Sequence, residues 1–215
     1  MTPVMLLSDG YIGNGAEPWR IPDLDELPPI EVKFADDPET FAPYARDPET
    51  LARPWAVPGT PGLEHRVGGL EKEDVTGNIS YDPVNHEKMV EYRRRKVEGI
   101  AREIPPTQVF GEPEGELLVI GWGSTYGAIR TAVEDCQADG LSVSWVHLRW
   151  LNPFPSDLGE IIRRFRKVLI PELNSGQLAT FIRAKYLVDA IPFSKVQGLP
   201  FWTHEIEGKI RELIG

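Results

Sequence analysis

Apolar runs and amphipathic segments alternate through the second half of the chain. Residues 117–121, 141–147 and 168–173 are almost continuously apolar, which is typical of strands buried on both faces of a parallel sheet. Segments with one apolar helical face follow them at residues 126–137, 157–165 and 178–186, and a run at 188–196 precedes a helical pattern from Thr203 to Ile214. The pattern predicts an α/β fold in which helices cover an open parallel sheet.

The first part of the chain has little periodicity. Val4 to Leu7 form a short apolar run before Ser8-Asp9-Gly10, which predicts a buried strand that ends in a turn. Because a buried strand needs neighbours on both sides, we expect the chain to begin late within a larger domain. Turn-forming pairs dominate residues 11–80 and predict a long loop-rich segment before the sheet. Asp82 and Pro83 are a typical helix start, and the predicted helix spans residues 83–100.

The loop-rich segment contains a short internal repeat and several aromatic residues. Asp37-Pro38-Glu39-Thr40 recurs as Asp47-Pro48-Glu49-Thr50, which we interpret as the same turn formed twice, since a solenoid needs more and longer units. Aromatic residues separated by prolines predict an extended arm that becomes ordered mainly by packing on a partner chain or on another part of the same subunit. These aromatic residues are Trp19, Phe34, Phe41, Tyr44 and Trp55.

Charge and hydropathy narrow the range of partners. With 33 acidic and 23 basic side chains the formal charge is −10, and a surface of that sign disfavours nucleic-acid binding. Arg93 to Lys96 form a basic run on the predicted helix, which we interpret as a solvated face, with a phosphate or subunit contact as the alternative. Since the sequence has no run of about 18 apolar residues and no signal-peptide pattern, it predicts a cytoplasmic protein without membrane contact.

Cysteine and histidine provide no predicted metal site. Cys136 is the single cysteine, and one thiol cannot ligate an iron–sulfur cluster, which usually needs about four. Its position on the apolar face of a predicted helix favours a buried structural role. The four histidines have no metal-ligand spacing, so no metal site is predicted. For His65 we favour a loop or interface position, with an acid–base role as the alternative.

Two polar stretches follow predicted strands. Residues 121–127, Gly-Trp-Gly-Ser-Thr-Tyr-Gly, could approach a phosphate, but their spacing departs from a dinucleotide fingerprint, so we favour a structural turn. Glu172 lies at the end of the third apolar run, and we consider it a candidate interface or ligand carboxylate. Asn174 and Gln177 have the spacing of a helix cap and the third helical residue, which favours capping for Asn174.

Several motifs in order give the chain a family resemblance. They are Leu6-Leu7-Ser8-Asp9-Gly10-Tyr11 with Glu17-Pro18-Trp19, then residues 58–65 (Pro-Gly-Thr-Pro-Gly-Leu-Glu-His), 82–86, 119–124, 148–155 and 172–178. Together they closely resemble the C-terminal part of the alpha subunit of 2-oxoglutarate:ferredoxin oxidoreductases, in the 2-oxoacid:acceptor oxidoreductase family. The resemblance implies that residues 1–20 end a thiamine-pyrimidine-binding domain, that 21–114 form a loop-rich connection, and that 115–215 form a transketolase C-terminal-like domain.

The resemblance also implies an activity and partners. Members of the family convert 2-oxoglutarate and coenzyme A to succinyl-CoA and CO2 while ferredoxin is reduced. Thiamine diphosphate, magnesium and an iron–sulfur cluster belong chiefly to the beta subunit, so this chain is expected to hold none of them alone and to be inactive alone. There are two alternatives. The chain could be a subunit of a pyruvate-type 2-oxoacid synthase, or a stand-alone module that binds a nucleotide or another anion at residues 121–127.

Within this family framework, the carried-over candidates for the active site are few. Ser8, Asp9 and Tyr11 follow a predicted strand end, which is where α/β domains present ligands. Asp9 could help to select among 2-oxoacids through charge or hydrogen bonds near the substrate tail. A turn-forming role for Asp9 before Gly10 is the equal alternative.

Overall fold

The computed structural model describes residues 1–16, 18 and 20–215, and of Tyr11 the backbone alone. Contacts divide the chain into two units. The first unit contains Met1–Met5 and Glu17–Ile100, with the helix α2 (Pro83–Gly99). The second contains Leu6–Ala16 and Ala101–Gly215, with the short helix α1 (Gly10–Asn14) and a β-sheet.

A five-stranded sheet organises the second unit. Its strands are β1 (Val109–Phe110), β2 (Gly115–Trp122), β3 (Val143–Leu148), β4 (Phe165–Glu172) and β5 (Ala190–Ser194), in the spatial order β1-β3-β2-β4-β5. β2 pairs in parallel with both β3 and β4, and β5 is parallel to β4. The predicted α/β class is therefore confirmed, and so is the prediction that the three apolar runs form neighbouring parallel strands.

Helices cover both faces of the sheet. α3 (Tyr126–Ala138) and α6 (Thr203–Ile214) pack on one face, whereas α4 (Leu158–Arg163) and α5 (Gln177–Tyr186) pack on the other. The side chains of β2 alternate between the two faces of the sheet. Leu117 and Val119 belong to the core under α3, and Leu118 and Ile120 belong to the core under α5. All four side chains are fully buried, which explains why the strand is apolar without interruption.

Two segments of the chain differ from the predictions. Residues 4–7 do not form a buried strand: Val4 is 89 % and Leu6 91 % exposed, and the chain continues into α1. An apolar run becomes a strand only where another strand supplies backbone partners, and no described strand pairs with it. The edge strand β1, antiparallel to β3, was not predicted because two residues carry no periodic signal.

The helix of the first unit begins as its sequence predicts. Asp82 caps α2, with its Oδ1 accepting a hydrogen bond from the Val84 backbone N–H at 3.0 Å, and Pro83 occupies the first turn. On the exposed side Arg94 pairs with Glu91 and Glu98, which agrees with a solvated face for that arginine. None of the helices in the described part of the chain combines the length and apolar character that a membrane span requires.

The repeated tetrapeptide forms the same turn twice, as predicted. The Asp37 carboxylate accepts hydrogen bonds from the Glu39 backbone N–H at 2.9 Å and the Thr40 hydroxyl at 2.8 Å. The Asp47 carboxylate accepts equivalent bonds from the backbone N–H groups of residues 49 and 50 and from the Thr50 hydroxyl. These bonds favour the charged form and lower the pKa of both aspartates.

Several of the predicted aromatic anchors have partners within the first unit. Phe34 packs edge-on against Trp55, with 6.4 Å between ring centroids, and Phe41 packs against His65 at 5.3 Å. The guanidinium of Arg53 lies 4.1 Å from the centroid of the Tyr44 ring. Glu17 and Trp19, two residues of the family motif, lie outside the described residues. Ordering of the arm on a partner surface stays a prediction.

Candidate functional site

The direction in which the chain leaves the sheet reverses between β2 and β4. After β2 the chain enters α3 on one face, and after the neighbouring β4 it enters α5 on the opposite face. In open α/β sheets ligands bind in the crevice at the carboxyl ends of two such strands. The residues that follow β2 and β4 therefore form the candidate site, which we call the switch-point site: Asp9, Trp122, Ser124, Glu172 and Asn174.

Glu172 is the centre of the switch-point site. Its side chain is fully buried, and its carboxylate accepts hydrogen bonds from the backbone N–H groups of Leu178 at 2.9 Å and Ala179 at 3.0 Å. Asn174 Nδ2 donates at 3.0 Å and the indole Nε1 of Trp122 at 3.3 Å. The carboxylate thus lies at the N-terminus of α5, where negative charge is stabilised, and ties the end of β2 to the end of β4.

Asn174 organises the turn before α5, but it is not the helix cap. Its Oδ1 accepts hydrogen bonds from the backbone N–H groups of Gly176 at 2.8 Å and Gln177 at 3.1 Å. The cap is Gly176, whose φ of 90° suits glycine, and Gln177 is the first helical residue rather than the third. The predicted pairing of Asn174 with Gln177 is present as a hydrogen bond, but its register relative to the helix was wrong, because α5 begins at Gln177. Glu172 accepts the hydrogen bonds of the first turn of α5, from Leu178 and Ala179.

The glycine-rich turn after β2 is closed by its own side chains. Thr125 Oγ1 donates to the Trp122 backbone oxygen at 2.8 Å and accepts from the Trp122 backbone N–H at 3.2 Å. A Cβ at Gly121 would lie 2.5 Å from Ile129 Cδ1, so glycine lets α3 approach β2 closely. Gly123 has a φ of 58° and open space around its Cα. These contacts support the structural interpretation of residues 121–127.

The early segment of the chain reaches the switch-point site through Asp9. Ser124 Oγ donates to Asp9 Oδ2 at 2.6 Å, which joins two residues 115 positions apart. Ser8 is exposed and Asp9 half-buried. The side chain of Tyr11, the third candidate of this segment, lies outside what the structure describes. Ser124 was not singled out by the sequence, since a serine in a glycine-rich turn carries no signal of a partner so distant along the chain.

A second cleft opens at the carboxyl end of β3. It measures about 310 Å³ and includes Thr107, Tyr126, His147, Arg149 and Trp150 in its lining. The His147 ring packs edge-on against Tyr126 at 5.0 Å, and its buried Nδ1 has no hydrogen-bond partner among the described residues. Burial, and after it the charge of Arg149, lowers the pKa of His147, which favours the neutral form of the ring. The sequence offered no way to bring these residues together.

The donor set does not fit the metal groups that the family resemblance implies. Cys136 is buried and its thiol is the single one available, whereas a cluster needs several thiolates. Burial raises the pKa of that thiol, which disfavours the thiolate form. Within residues 1–16, 18 and 20–215 no group of three or more His, Cys, Asp or Glu side chains could hold a metal ion.

Comparisons with known proteins agree on one family. A model of the pyruvate:ferredoxin oxidoreductase core domain II matches residues 115–199. The chain is 56 % identical, over 98 % of its length, to 2-oxoglutarate oxidoreductase subunit KorA of Mycobacterium tuberculosis, of which it spans 32 %. It is 30 % identical, over 99 % of its length, to the alpha subunit of 2-oxoacid:ferredoxin oxidoreductase 2 of Aeropyrum pernix, of which it spans 34 %.

A solved structure gives the same result. The chain superposes on a 2-oxoglutarate:ferredoxin oxidoreductase from Magnetococcus marinus, determined with 2-oxoglutarate, coenzyme A and succinyl-CoA bound, with a TM-score of 0.83 and 34 % identity. The match covers 90 % of this chain and 34 % of that one. The chain thus spans about a third of the length of each of these three relatives. The predicted resemblance is confirmed, and the chain is related to the alpha subunits of 2-oxoacid:ferredoxin oxidoreductases.

Proposed function

We propose that this chain supplies part of the alpha subunit of a 2-oxoglutarate:ferredoxin oxidoreductase. The complete complex would convert 2-oxoglutarate and coenzyme A to succinyl-CoA and CO2 and reduce ferredoxin. The observation that carries the proposal is 56 % identity to a 2-oxoglutarate oxidoreductase subunit along nearly the whole chain. The relative of known structure, with 2-oxoglutarate and coenzyme A bound, supports the same substrates.

In this proposal the chemistry belongs to groups held by other parts of the complex. Thiamine diphosphate with magnesium would supply the chemistry for decarboxylation of the 2-oxoacid, and an iron–sulfur cluster would supply the path for electrons towards ferredoxin. The beta subunit is the proposed holder of these groups, because the side chains described above do not fit a cluster or a metal ion. This chain would then be inactive alone and would act as a scaffold and an interface.

The residues that follow the strands are the proposed contribution of this chain to the active site or subunit interface. Ser8, Asp9 and Tyr11 are the candidates on the active-site side, and the hydrogen bond from Ser124 to Asp9 supports a fixed position for that segment. Glu172 and Asn174, with Gln177 exposed at the start of α5, are the candidates at the strand end. Their proposed role is to hold the carboxyl edge of the sheet in shape against a neighbouring subunit.

The test is an assay of the assembled complex that contains this chain. Reduction of a viologen dye is followed with 2-oxoglutarate or pyruvate, each with coenzyme A, while succinyl-CoA and CO2 are quantified. We expect a higher kcat/KM with 2-oxoglutarate than with pyruvate. We also expect one molecule of succinyl-CoA to form for each molecule of CO2. If the complex turns over neither 2-oxoacid, the proposal is overturned. A clear preference for pyruvate would replace it with the pyruvate-type alternative, which the matching family model favours by its description.

The role of Asp9 can be separated from a turn-forming role in the same assay. The variant Asp9→Asn keeps the shape of the side chain and removes its charge. A role in substrate selection predicts that the ratio of kcat/KM for the two 2-oxoacids changes by at least about tenfold. Glu160→Gln is the matched control, since that carboxylate is 76 % exposed on α4. An unchanged ratio with lower thermal stability would assign Asp9 to the turn.

A further inference from the structure

A cluster of basic side chains surrounds one cavity of the first unit. The cavity measures about 400 Å³, and its lining includes five cationic side chains and one carboxylate, Glu71. The cationic residues are Arg46, Arg53, Lys72, Arg93 and Lys96. Such a concentration is unexpected in a chain of net charge −10, and it includes both ends of the basic run on α2.

Two of the five cations have clear structural partners. Lys72, which is 3 % exposed, donates to the backbone oxygens of Gly68 at 2.8 Å, Gly69 at 3.1 Å and Leu70 at 2.7 Å. Those three bonds use all the protons of its ammonium group. Arg93 forms a two-pronged pair with Glu71, at 3.1 and 3.2 Å. The one carboxylate of the cavity is therefore already neutralised.

The other three cations, Arg46, Arg53 and Lys96, have no ion pair with a carboxylate among the described residues. Arg46 Nη1 donates to the Leu51 backbone oxygen at 3.0 Å, and its buried Nε has no partner within the described part of the chain. Asp74 is the acidic group that acts on Arg46, but that carboxylate pairs with Lys88 at 2.6 Å. Lys96 Nζ donates to the Met1 backbone oxygen, and Arg53 contacts the Met1 sulfur at 3.3 Å.

These three cations repel one another. Burial, and after it the charges of Arg46 and Arg53, lowers the pKa of Lys96. Burial and the charge of Arg53 likewise lower the pKa of Arg46. The stacking of Arg46 and Arg53 on the Tyr44 ring, at 5.9 and 4.1 Å, fixes their positions but adds no negative charge. A fold that held these groups only for packing would gain from neutral side chains here.

We propose that this cavity binds a small oxyanion that carries at least two negative charges, through Arg53 and Lys96 with Arg46 beside them. Guanidinium groups match the paired oxygens of phosphate and carboxylate, and an ammonium group adds a point charge. The cavity is concave and held by the buried Lys72 loop, so the site exists before the anion arrives. The site uses none of residues 121–127, and it does not depend on the proposed function.

The test uses the full chain and two probes, inorganic diphosphate and glutarate, at constant ionic strength adjusted with sodium chloride. Binding is measured by isothermal titration calorimetry and by the rise in the thermal midpoint. The parent chain is expected to bind at least one probe saturably. Arg53→Gln and Lys96→Gln should each weaken that binding by at least about tenfold. The control Arg95→Gln changes a neighbouring exposed cation outside the cavity and should alter binding less than about twofold.

The stability of the variants without a probe separates binding from packing. Because Lys96 is repelled by Arg46 and Arg53, Lys96→Gln should have a thermal midpoint equal to or above that of the parent in low-salt buffer, while the midpoint no longer rises with the probe. Tighter binding of diphosphate would identify a phosphate site, and tighter binding of glutarate a carboxylate site; both support the proposal. Absence of saturable binding by the parent overturns it. Equal binding by the parent and both cavity variants overturns it as well.

Discussion

Replacing Glu172 tests whether the switch-point site holds the sheet edge together. The buried carboxylate accepts four hydrogen bonds, two from the first turn of α5 and one each from Asn174 and Trp122. Glu172→Ala would leave these donors facing a cavity. A buried donor left without a partner costs about 1–3 kcal/mol, and water entering the cavity recovers part of the total. We therefore expect the free energy of unfolding to fall by about 3–5 kcal/mol.

Glu172→Gln is the finer perturbation, since it keeps the volume of the side chain. The amide oxygen can accept from one side, but the amide nitrogen must then face the N–H of either Leu178 or Ala179. Two donors that face each other lose one hydrogen bond and its charge assistance, so a loss of about 1–3 kcal/mol is expected. The order of stability should be parent, then Glu172→Gln, then Glu172→Ala.

Urea denaturation followed by tryptophan fluorescence measures these differences. With a urea dependence of about 1–3 kcal/mol per molar, the alanine variant should lower the midpoint by at least about 1 M. Glu160→Ala serves as the control because that side chain is 76 % exposed and lies 3.8 Å from Arg164, and it should change stability by less than about 0.5 kcal/mol. If Glu172→Ala is as stable as this control, the hydrogen bonds at the switch-point site do not stabilise the sheet edge.

Three further predictions concern other parts of the chain. Gly121→Ala should cost about 1–3 kcal/mol, because its Cβ would lie 2.5 Å from Ile129 Cδ1, and adding Ile129→Val, which removes that methyl, should restore part of the loss in a double-mutant cycle. The hydrogen bonds from Arg93 are the main cause that lowers the pKa of Glu71 from 4.5 to about 2. The stability that ionised Glu71 contributes is therefore full above pH 4.5 and is lost as the pH falls towards 2. In the Glu71→Gln variant the urea midpoint should change less with pH over that window than it does in the parent. Cys136 is fully buried and the pKa of its thiol is raised, so Ellman's reagent should react with it only after urea unfolds the chain.

The sequence was most informative where periodicity and burial coincide. The apolar runs of β2, β3 and β4 predicted neighbouring strands because their side chains are covered on both faces, and α6 was predicted with its observed ends, Thr203 and Ile214. The run at residues 4–7 has the same composition as a buried strand but is exposed. Composition records what a segment could bury, whereas strand formation depends on a partner elsewhere, so the same pattern led to a correct prediction in one place and a wrong one in another.

The candidate site was less predictable because it is built from contacts between distant residues. Glu172 was identified from its position at a strand end, but its bond to Trp122 spans 50 residues and the bond from Ser124 to Asp9 spans 115. Local spacing predicted that Asn174 and Gln177 pair at the helix start, and they do form a hydrogen bond, but the next two N–H groups in the first turn of α5 donate to Glu172 instead of Asn174. A local motif predicts the acceptor that is nearest in sequence. A buried carboxylate farther away in the sequence can instead accept the hydrogen bonds of the same helix start.

The two groups of polar side chains differ in how their charges are balanced, and that difference separates an organising role from a binding role. At the switch-point site the single buried negative charge has donors on both oxygens, so folding alone satisfies it. In the basic cavity of the first unit Glu71 balances Arg93, while Arg53 and Lys96 have no carboxylate partner among the described residues. Uncompensated cations destabilise a chain unless something neutralises them, and an anion from solution is the simplest neutralising partner. The unbalanced charge of the basic cavity therefore indicates a ligand more directly than the glycine-rich turn at residues 121–127 does, because the polar groups of that turn already form hydrogen bonds.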